Sequence, residues 1–266
     1  MENFSFAFVL AGFVVGVIVG LTGVGGGSLM TPLLIFGFGI KPAFAVGTDL
    51  LFAAATKFGG LLNFARQRII PWRVVFSLSL GSVPAALITL AALHHFGTSN
   101  PTVQNAITFT LGIALLLTAA ATLYKAIRGP LRRQDSAEDE EQTPADTTSH
   151  PWMPVVFGAL IGVLVTLTSV GAGAIGVTVL MLLYPQLSLP RIVAADIAYA
   201  VPLTLVAGLG HASLGTVDWN LLVILLIGSL PGIWIGSQLV TKVPERFIRS
   251  ALSVLLAWAG TKLILI

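Results

Sequence analysis

Five long stretches of this sequence contain no Asp, Glu, Lys or Arg. They are residues 3–40, 74–124, 147–190, 197–217 and 219–241. An apolar run of about 18 or more residues without charge can cross a bilayer as a helix. Only 9% of the 266 residues are charged, whereas soluble domains carry about 25%. The pattern excludes soluble enzymes, nucleic-acid-binding domains and disordered chains, and it predicts an all-α polytopic membrane protein.

Apolar segments of helical length follow one another along the chain. We place them at residues 5–22, 28–40, 43–61, 73–93, 103–127, 153–168, 174–187, 191–210, 219–240 and 247–266. A helix over 28–40 would be only about 20 Å long, shorter than the hydrocarbon core of about 30 Å. The first two segments of each half therefore either each cross the membrane or form a re-entrant hairpin. The Gly-rich backbone between them favours the broken or re-entrant geometry.

A charged stretch divides the chain into halves of similar length. Residues 128–150 contain nine of the charged side chains, including the acidic run 138–141, and this composition is typical of a solvated linker. We predict a first transmembrane repeat over 1–127, a linker over 128–151 and a second transmembrane repeat over 152–266.

The two halves resemble each other in sequence. Residues 16–25, GVIVGLTGVG, align with 162–171, GVLVTLTSVG, and further matches follow at an offset of 147. These matches pair Asp49 with Asp196, Trp72 with Trp219, Gly81 and Ser82 with Gly228 and Ser229, and Pro84 with Pro231. An ordered set of matches at nearly constant offset indicates a duplication.

Basic residues predict that the two repeats have inverted topology. Loop 62–72 contains Arg66 and Arg68, whereas its counterpart, 211–218, has no Lys or Arg. Loop 94–102 also has none, whereas its counterpart, 241–249, has three. Because Lys and Arg concentrate in cytoplasmic loops, corresponding loops are expected on opposite sides. The linker is then cytoplasmic, both termini are outside, and each half is a Gly-rich broken or re-entrant segment followed by three transmembrane helices.

Glycine-rich segments occur at matched positions in both halves and are the strongest candidates for a binding site. Successive amide groups in such a backbone can bind an anion, and a helix N-terminus favours negative charge. Close helix packing through small residues is the alternative. The candidate substrate-binding residues here are Thr22, Gly23, Gly25, Gly26, Gly27 and Ser28 in the first half, and Thr168, Ser169, Gly171 and Gly173 in the second.

Asp49 and Asp196 are carboxylates within apolar segments, where an ionisable group suggests function. Each is a candidate for a proton relay, a cation site or a structural acceptor of backbone N–H groups. Each could also be a helix-start carboxylate satisfied by its own first turn.

Three further polar residues lie near these segments. Lys57 is either a side chain that extends to the cytoplasmic surface or a positive charge offered to an anion. His211, placed in an outer loop, is a candidate structural residue or proton carrier, and Asn63 is a candidate polar liner.

The sequence resembles the sulfite exporter TauE/SafE family of membrane transporters. The resemblance rests on GLTGVGGGSLMTPLL at 20–34, VGTDL at 46–50, LTSVGAGAIG at 167–176 and VAADIAYAVP at 193–202. It covers nearly the whole chain apart from the linker. The second half departs from the full glycine motif, because Ala172 and Ala174 stand where Gly26 and Ser28 stand. Membership implies transport of small anions such as sulfite and small organosulfonates, usually by export, across the bacterial cytoplasmic membrane.

Together these features predict a secondary transporter for a small anion that works by alternating access. A passive anion channel with the same glycine loops is the alternative. No nucleophile–base pair or His-rich metal motif points to an enzyme, and we expect no cofactor, no metal and no nucleic acid. The expected partners are a small anionic substrate, the lipid bilayer and, as a candidate assembly, a second copy in a homodimer.

Overall fold

The computed structural model describes residues 2–22, 27–128, 152–239 and 245–265. Within these residues the protein consists of ten helices and contains no strand, which confirms the all-α prediction. The helices are α1 (Glu2–Thr22), α2 (Gly27–Phe38), α3 (Pro42–Arg66), α4 (Trp72–Phe96), α5 (Pro101–Arg128), α6 (Met153–Thr168), α7 (Ala174–Leu183), α8 (Leu189–Ser213), α9 (Trp219–Leu239) and α10 (Glu245–Ile264). Each overlaps one predicted apolar segment. The predicted linker, apart from Arg128, lies outside the described residues.

The helices have the length and surface of a multi-pass membrane protein. Five of them, α3, α4, α5, α8 and α9, are long and apolar enough to cross a membrane. Large apolar side chains such as Leu80, Ile88, Trp234 and Val254 are exposed on the outside of the bundle. Contiguous apolar surface of this kind requires a nonpolar surrounding.

Helices α2 and α7 are the shortest of the described helices and are too short to cross by themselves. Helix α2 has 12 residues and α7 has 10, so they are about 18 Å and 15 Å long. Both contain residues from the sequence motifs, and their starts lie inside the protein, where Gly27, Ser28 and Ala174 are buried.

Helices of the first half pack against helices of the second half. Helix α1 lies along α9, α4 along α6, α5 along α10 and α3 along α8. Small residues allow these backbones to approach closely. A Cβ atom at Gly16 would lie 2.8 Å from the Cα of Ser229, and one at Gly162 would lie 2.8 Å from the Cα of Ser82.

Helices α3 and α8 cross the interior in opposite directions. Gly47 near the start of α3 faces His211 near the end of α8, whereas Gly60 near the end of α3 faces Ile197 near the start of α8. Residues early in one helix are therefore level with residues late in the other. This relationship determines where the polar residues of the two helices lie along the molecule.

Candidate functional site

The start of α2 contacts the end of α6. Gly27, the first residue of α2, lies so close to Ser169 that an added Cβ would collide with the Ser169 carbonyl and lie 2.9 Å from its Oγ. Ser28 follows and is also buried. The described part of the first glycine motif therefore directly contacts the counterpart motif of the second half. Gly23, Gly25 and Gly26 lie outside the described residues, and Thr22 ends α1 with its side chain undescribed.

The chain breaks between α6 and α7, and the break requires unusual backbone angles. Ser169 ends α6 in a left-handed conformation with a φ of 58°. Gly171 and Gly173 follow with φ values of 129° and 132°, which residues with a Cβ rarely adopt. Thr168 is buried, and its hydroxyl donates a hydrogen bond of 2.6 Å to the Leu164 carbonyl in the last turn of α6. The glycines here permit the break, while Thr168 stabilises it.

Asp49 is completely buried near this contact. It lies seven residues after the start of α3 and accepts a hydrogen bond of 2.5 Å from the Thr31 hydroxyl of α2 on its Oδ2 atom. Its partner thus comes from a different helix rather than from the first turn of α3. The Ser169 hydroxyl lies beside this carboxylate. Even so, neither Asp49 Oδ1 nor Ser169 Oγ makes a hydrogen bond of ordinary geometry with the described residues.

Asp196 occupies the matching position in α8, seven residues after the helix begins. It is 2% exposed. Its Oδ1 atom and the hydroxyl of Tyr199 both lie against Gly176 of α7, where an added Cβ would collide with the two oxygens. Each of the two carboxylates is therefore adjacent to the short helix of its own half: Asp49 to α2 and Asp196 to α7.

Lys57 extends from α3 to the break between α6 and α7. Its Nζ donates a hydrogen bond of 3.0 Å to the Ala172 carbonyl, and the side chain is half-buried. The ammonium is attracted most strongly to Asp196 and less strongly to Asp49. The Lys57 side chain is therefore held at the break between α6 and α7.

The charged residues are spread along the molecule rather than gathered at one point. From the rise of a helix, Lys57 lies about 12 Å beyond Asp49 along α3. Asp196 precedes Ile197, which faces Gly60, so it is level with a point about 18 Å beyond Asp49. The order is Asp49, then Lys57, then Asp196. Along this direction, the described interior thus has one carboxylate on each side of one ammonium.

His211 was predicted to lie in an outer loop, and this prediction is wrong. Helix α8 continues to Ser213, and His211 is fully buried in its last turn. Its Nε2 lies 3.0 Å from the Thr166 carbonyl and must donate to it, while Nδ1 lies 2.9 Å from the Thr216 hydroxyl. Both ring nitrogens are satisfied, and this allows the helix to keep the imidazole inside. Asn63 is exposed in the last turns of α3 and lies apart from the buried groups.

The sequence patterns did not identify two residues that the structure places beside the carboxylates. Thr31 contacts Asp49, and Tyr199 lies beside Asp196. The repeat contained a signal for Tyr199, because the offset of 147 pairs it with Phe52, another large and fully buried side chain. Only the second half has a hydroxyl at this position. Among the described residues no group of three or more His, Cys, Asp or Glu side chains is arranged to hold a metal ion.

The family model described as "Sulfite exporter TauE/SafE" matches residues 8–263. The chain is 35% identical over 260 residues to the probable membrane transporter protein YjnA of Bacillus subtilis, covering 98% of this chain and 100% of that protein. The resemblance proposed from the sequence motifs is confirmed.

More distant relatives have similar descriptions. The chain is 25% identical to the probable membrane transporter protein YdhB of Bacillus subtilis, over 96% of this chain and 98% of that protein. It is 26% identical to the probable membrane transporter protein MJ0441 of Methanocaldococcus jannaschii, over 97% and 94%. No solved structure matches the chain significantly. These relatives are described as transporters, and none of them as an enzyme.

Proposed function

Since the chain belongs to the TauE/SafE sulfite exporter family of membrane transporters, we propose that it is a secondary transporter for a small anion. The substrate class is sulfite or a small organosulfonate. The transporter would lie in the cytoplasmic membrane with its linker inside and its termini outside, as the basic loops indicate.

The contact between Gly27 and Ser169, with Lys57 at the neighbouring Ala172, supports this proposal most directly. Helices α2 and α7 both begin in the interior, and helix N-termini carry partial positive charge. Discontinuous helices in transporters direct such N-termini at anionic groups of the substrate. Lys57 adds a full positive charge beside the start of α7. An anion between these elements would meet backbone N–H groups and an ammonium.

Alternating access is supported by the way in which the halves pack. Under the repeat, α1 corresponds to α6 and α4 to α9, so the α1–α9 pair corresponds to the α6–α4 pair, and both pairs occur. Two units related in this manner can rock against each other around a central site. Asp49 and Asp196, on opposite sides of Lys57, occupy equivalent places in the two units.

A carrier fits the described interior better than an open channel does. Ser28, Asp49, Ser169 and Asp196 are all at most 5% exposed. Groups that line an open pore are hydrated, whereas these are enclosed by packed helices. In a carrier, this enclosed interior corresponds to an occluded state, and other states of the cycle would open it to one side at a time.

Outward movement is favoured for an anion transported alone. The membrane potential is negative inside and contributes about 2.3 kcal/mol per charge per 100 mV. Export of a sulfur oxyanion needs no further source of energy under this condition.

Purified protein in liposomes tests the proposed function. Efflux of sulfite and of a small sulfonate would be compared with efflux of glucose, which has no charge, from the same vesicles. We expect anion efflux from the wild type and its loss in Lys57→Gln. Arg66→Gln, which removes an exposed charge from the end of the same helix, is the matched control and should transport normally. Equal efflux of the anion from vesicles without protein and from vesicles that contain the protein would contradict the proposal.

A further inference from the structure

Two buried oxygens at the Asp49 end of the site make no hydrogen bond of ordinary geometry with the described residues. They are Asp49 Oδ1 and Ser169 Oγ, and the two side chains lie close enough to interact with each other. An unsatisfied buried polar atom is costly, typically about 1–3 kcal/mol. Such atoms in a packed interior call for a partner, for example a bound water, an ion or a proton.

The charges of the site disfavour an anion bound alone. With both carboxylates ionised and Lys57 protonated, these three groups sum to one negative charge. A monoanion would raise the sum to two negative charges in an enclosed interior, where charges interact more strongly than in water. The position in the second half that corresponds to Lys57 is Thr204, which is uncharged and whose hydroxyl bonds to the Ala200 carbonyl at 2.8 Å.

Asp49 is the carboxylate better placed to lose its charge. Lys57 attracts both carboxylates, Asp196 ahead of Asp49. The backbone positions of Asp49 and Lys57 lie about 12 Å apart along the helix. Its described hydrogen bond goes to Thr31 through Oδ2 and leaves Oδ1 open.

A proton fits this position better than a metal cation does. Hard divalent cations take six or more oxygen ligands, and the open side-chain oxygens described here are Asp49 Oδ1 and Ser169 Oγ. The start of α2, with its partial positive charge, also contacts Ser169. A proton on Oδ1 needs one acceptor, and Ser169 Oγ lies beside this carboxylate.

We propose that Asp49 takes up one proton when the anion binds, so that anion and proton are carried together. This inference rests on the proposed anion transport. The proton comes from the water on the side to which the site opens and forms an O–H bond at Oδ1, and this O–H donates a hydrogen bond to Ser169 Oγ. The Lys57 ammonium then attracts both the anion and Asp196. Because the added proton offsets the added anion, the net charge of the site is unchanged when a monoanion binds.

The direction of transport depends on this coupling. A monoanion with one proton carries no net charge, so the membrane potential contributes nothing and the anion and proton gradients decide the direction. A dianion with one proton retains one negative charge and is still driven outward by the potential.

Other titratable groups face the same region and must be separated from Asp49 in a test. They are Lys57 on α3 and Asp196, Tyr199 and His211 on α8, with His211 packed against Gly47. The described residues of α2, α6, α7 and α9 include no acidic or basic side chain that faces Asp49. His211 has both ring nitrogens occupied by Thr216 and Thr166.

Calorimetry of anion binding tests the proposal on the purified full chain. The probes are methanesulfonate and isethionate, which keep one negative charge throughout the usual pH range, so that the anion itself takes up no proton. Titration in two buffers with different heats of protonation gives the number of protons taken up. We expect about one proton per anion and an affinity that falls up to about tenfold per pH unit as the pH rises.

Variants identify the residue that takes up the proton. Asp49→Asn should bind the anion with little pH dependence and with no proton uptake. Asp218→Asn, which alters an exposed carboxylate outside the site and keeps a side chain able to cap α9, should take up the proton as the wild type does. If Asp49→Asn does not fold, the proton count on the wild type and the same count in Ser169→Ala still decide, because Ser169→Ala should weaken the linkage by removing the acceptor.

The outcomes separate this inference from the function on which it rests. Binding of a sulfonate without proton uptake by the wild type overturns the inference and leaves anion transport standing. Proton uptake that persists in Asp49→Asn assigns the proton to another group and also overturns the inference. Binding that requires sodium and involves no proton has the same consequence. If neither sulfonate binds and sulfite is not transported, the proposed function itself fails.

Discussion

Lys57 Nζ donates a hydrogen bond of 3.0 Å to the carbonyl oxygen of Ala172, which lies 115 residues away in the sequence. The bond joins the middle of a long first-half helix to the break between two second-half helices. It places the one described interior ammonium beside the start of α7 and between Asp49 and Asp196. The following variants test the contacts around this arrangement.

Gly27→Ala should abolish transport. The added Cβ would collide with the backbone carbonyl of Ser169, so the start of α2 must move away from the site. Gly59→Ala is the matched control, because a Cβ there meets nothing within 4 Å. That control should transport normally and gain about 1 kcal/mol of helix stability. Efflux from liposomes, normalised to folded protein, measures both, and full activity in Gly27→Ala would show that the contact is dispensable.

Gly176→Ala should disturb Asp196. Its Cβ would press on Asp196 Oδ1 and on the Tyr199 hydroxyl. Removing that hydroxyl in Gly176→Ala/Tyr199→Phe relieves half of the collision, so the double variant should be more stable than the sum of the two single changes predicts. A double-mutant cycle in thermal unfolding gives the coupling free energy, expected at about 0.5–3 kcal/mol for residues in contact. Additive effects would mean that α7 accommodates the methyl group without touching Tyr199.

Thr31→Val should lower the free energy of unfolding by about 1–3 kcal/mol, because it leaves a buried carboxylate oxygen without its donor. Thr31→Ser keeps the hydroxyl and should retain most of the stability. Thr178 occupies the corresponding place in α7, but its hydroxyl bonds to the Ala174 carbonyl of its own helix. Thr178→Val should therefore have a much smaller effect. Denaturation of the three purified variants measures the difference, and equal losses at 31 and 178 would rule out a special role for the Asp49 contact.

His211→Phe should destabilise the protein without a direct effect on substrate affinity. The change leaves the Thr166 carbonyl without its imidazole donor, at a cost of about 1–3 kcal/mol, while the Thr216 hydroxyl keeps its hydrogen bond to the His211 carbonyl. His94→Phe, at an exposed position in the last turn of α4, is the control and should change little. Thermal unfolding and anion binding by the folded fraction separate the two effects. A loss of affinity with unchanged stability would instead assign His211 to transport.

The repeat allowed part of the site to be predicted. Matched spacing identified Asp49 and Asp196 as a pair, and the structure buries both at equivalent positions in α3 and α8. The glycines at 171 and 173 were found because positive φ angles select for glycine locally. Thr31 was harder to find, because a threonine in an apolar segment usually bonds to a carbonyl of its own helix, as Thr178 does.

The placement of His211 could not be predicted from the sequence around it. A polar residue near the end of an apolar segment suggests a loop, since an unpaired imidazole inside a membrane protein is costly. The helix could continue past it because Thr166 of α6 and Thr216 offer partners for both nitrogens. Neither the identity of those partners nor their position follows from the residues next to His211.

The amino-acid sequence by itself determined the helical membrane class, the positions of ten helices and the family, because apolar length and glycine motifs are local properties of a chain. Tertiary structure alone decided that Thr31 serves Asp49, that Lys57 reaches Ala172 and that His211 is buried. Those contacts depend on which helices pack together and in which direction they run. Thr31 meets Asp49, and His211 meets its partners, when helices within one half pack together, whereas Lys57 and Ala172 become partners only once the two halves have folded against each other.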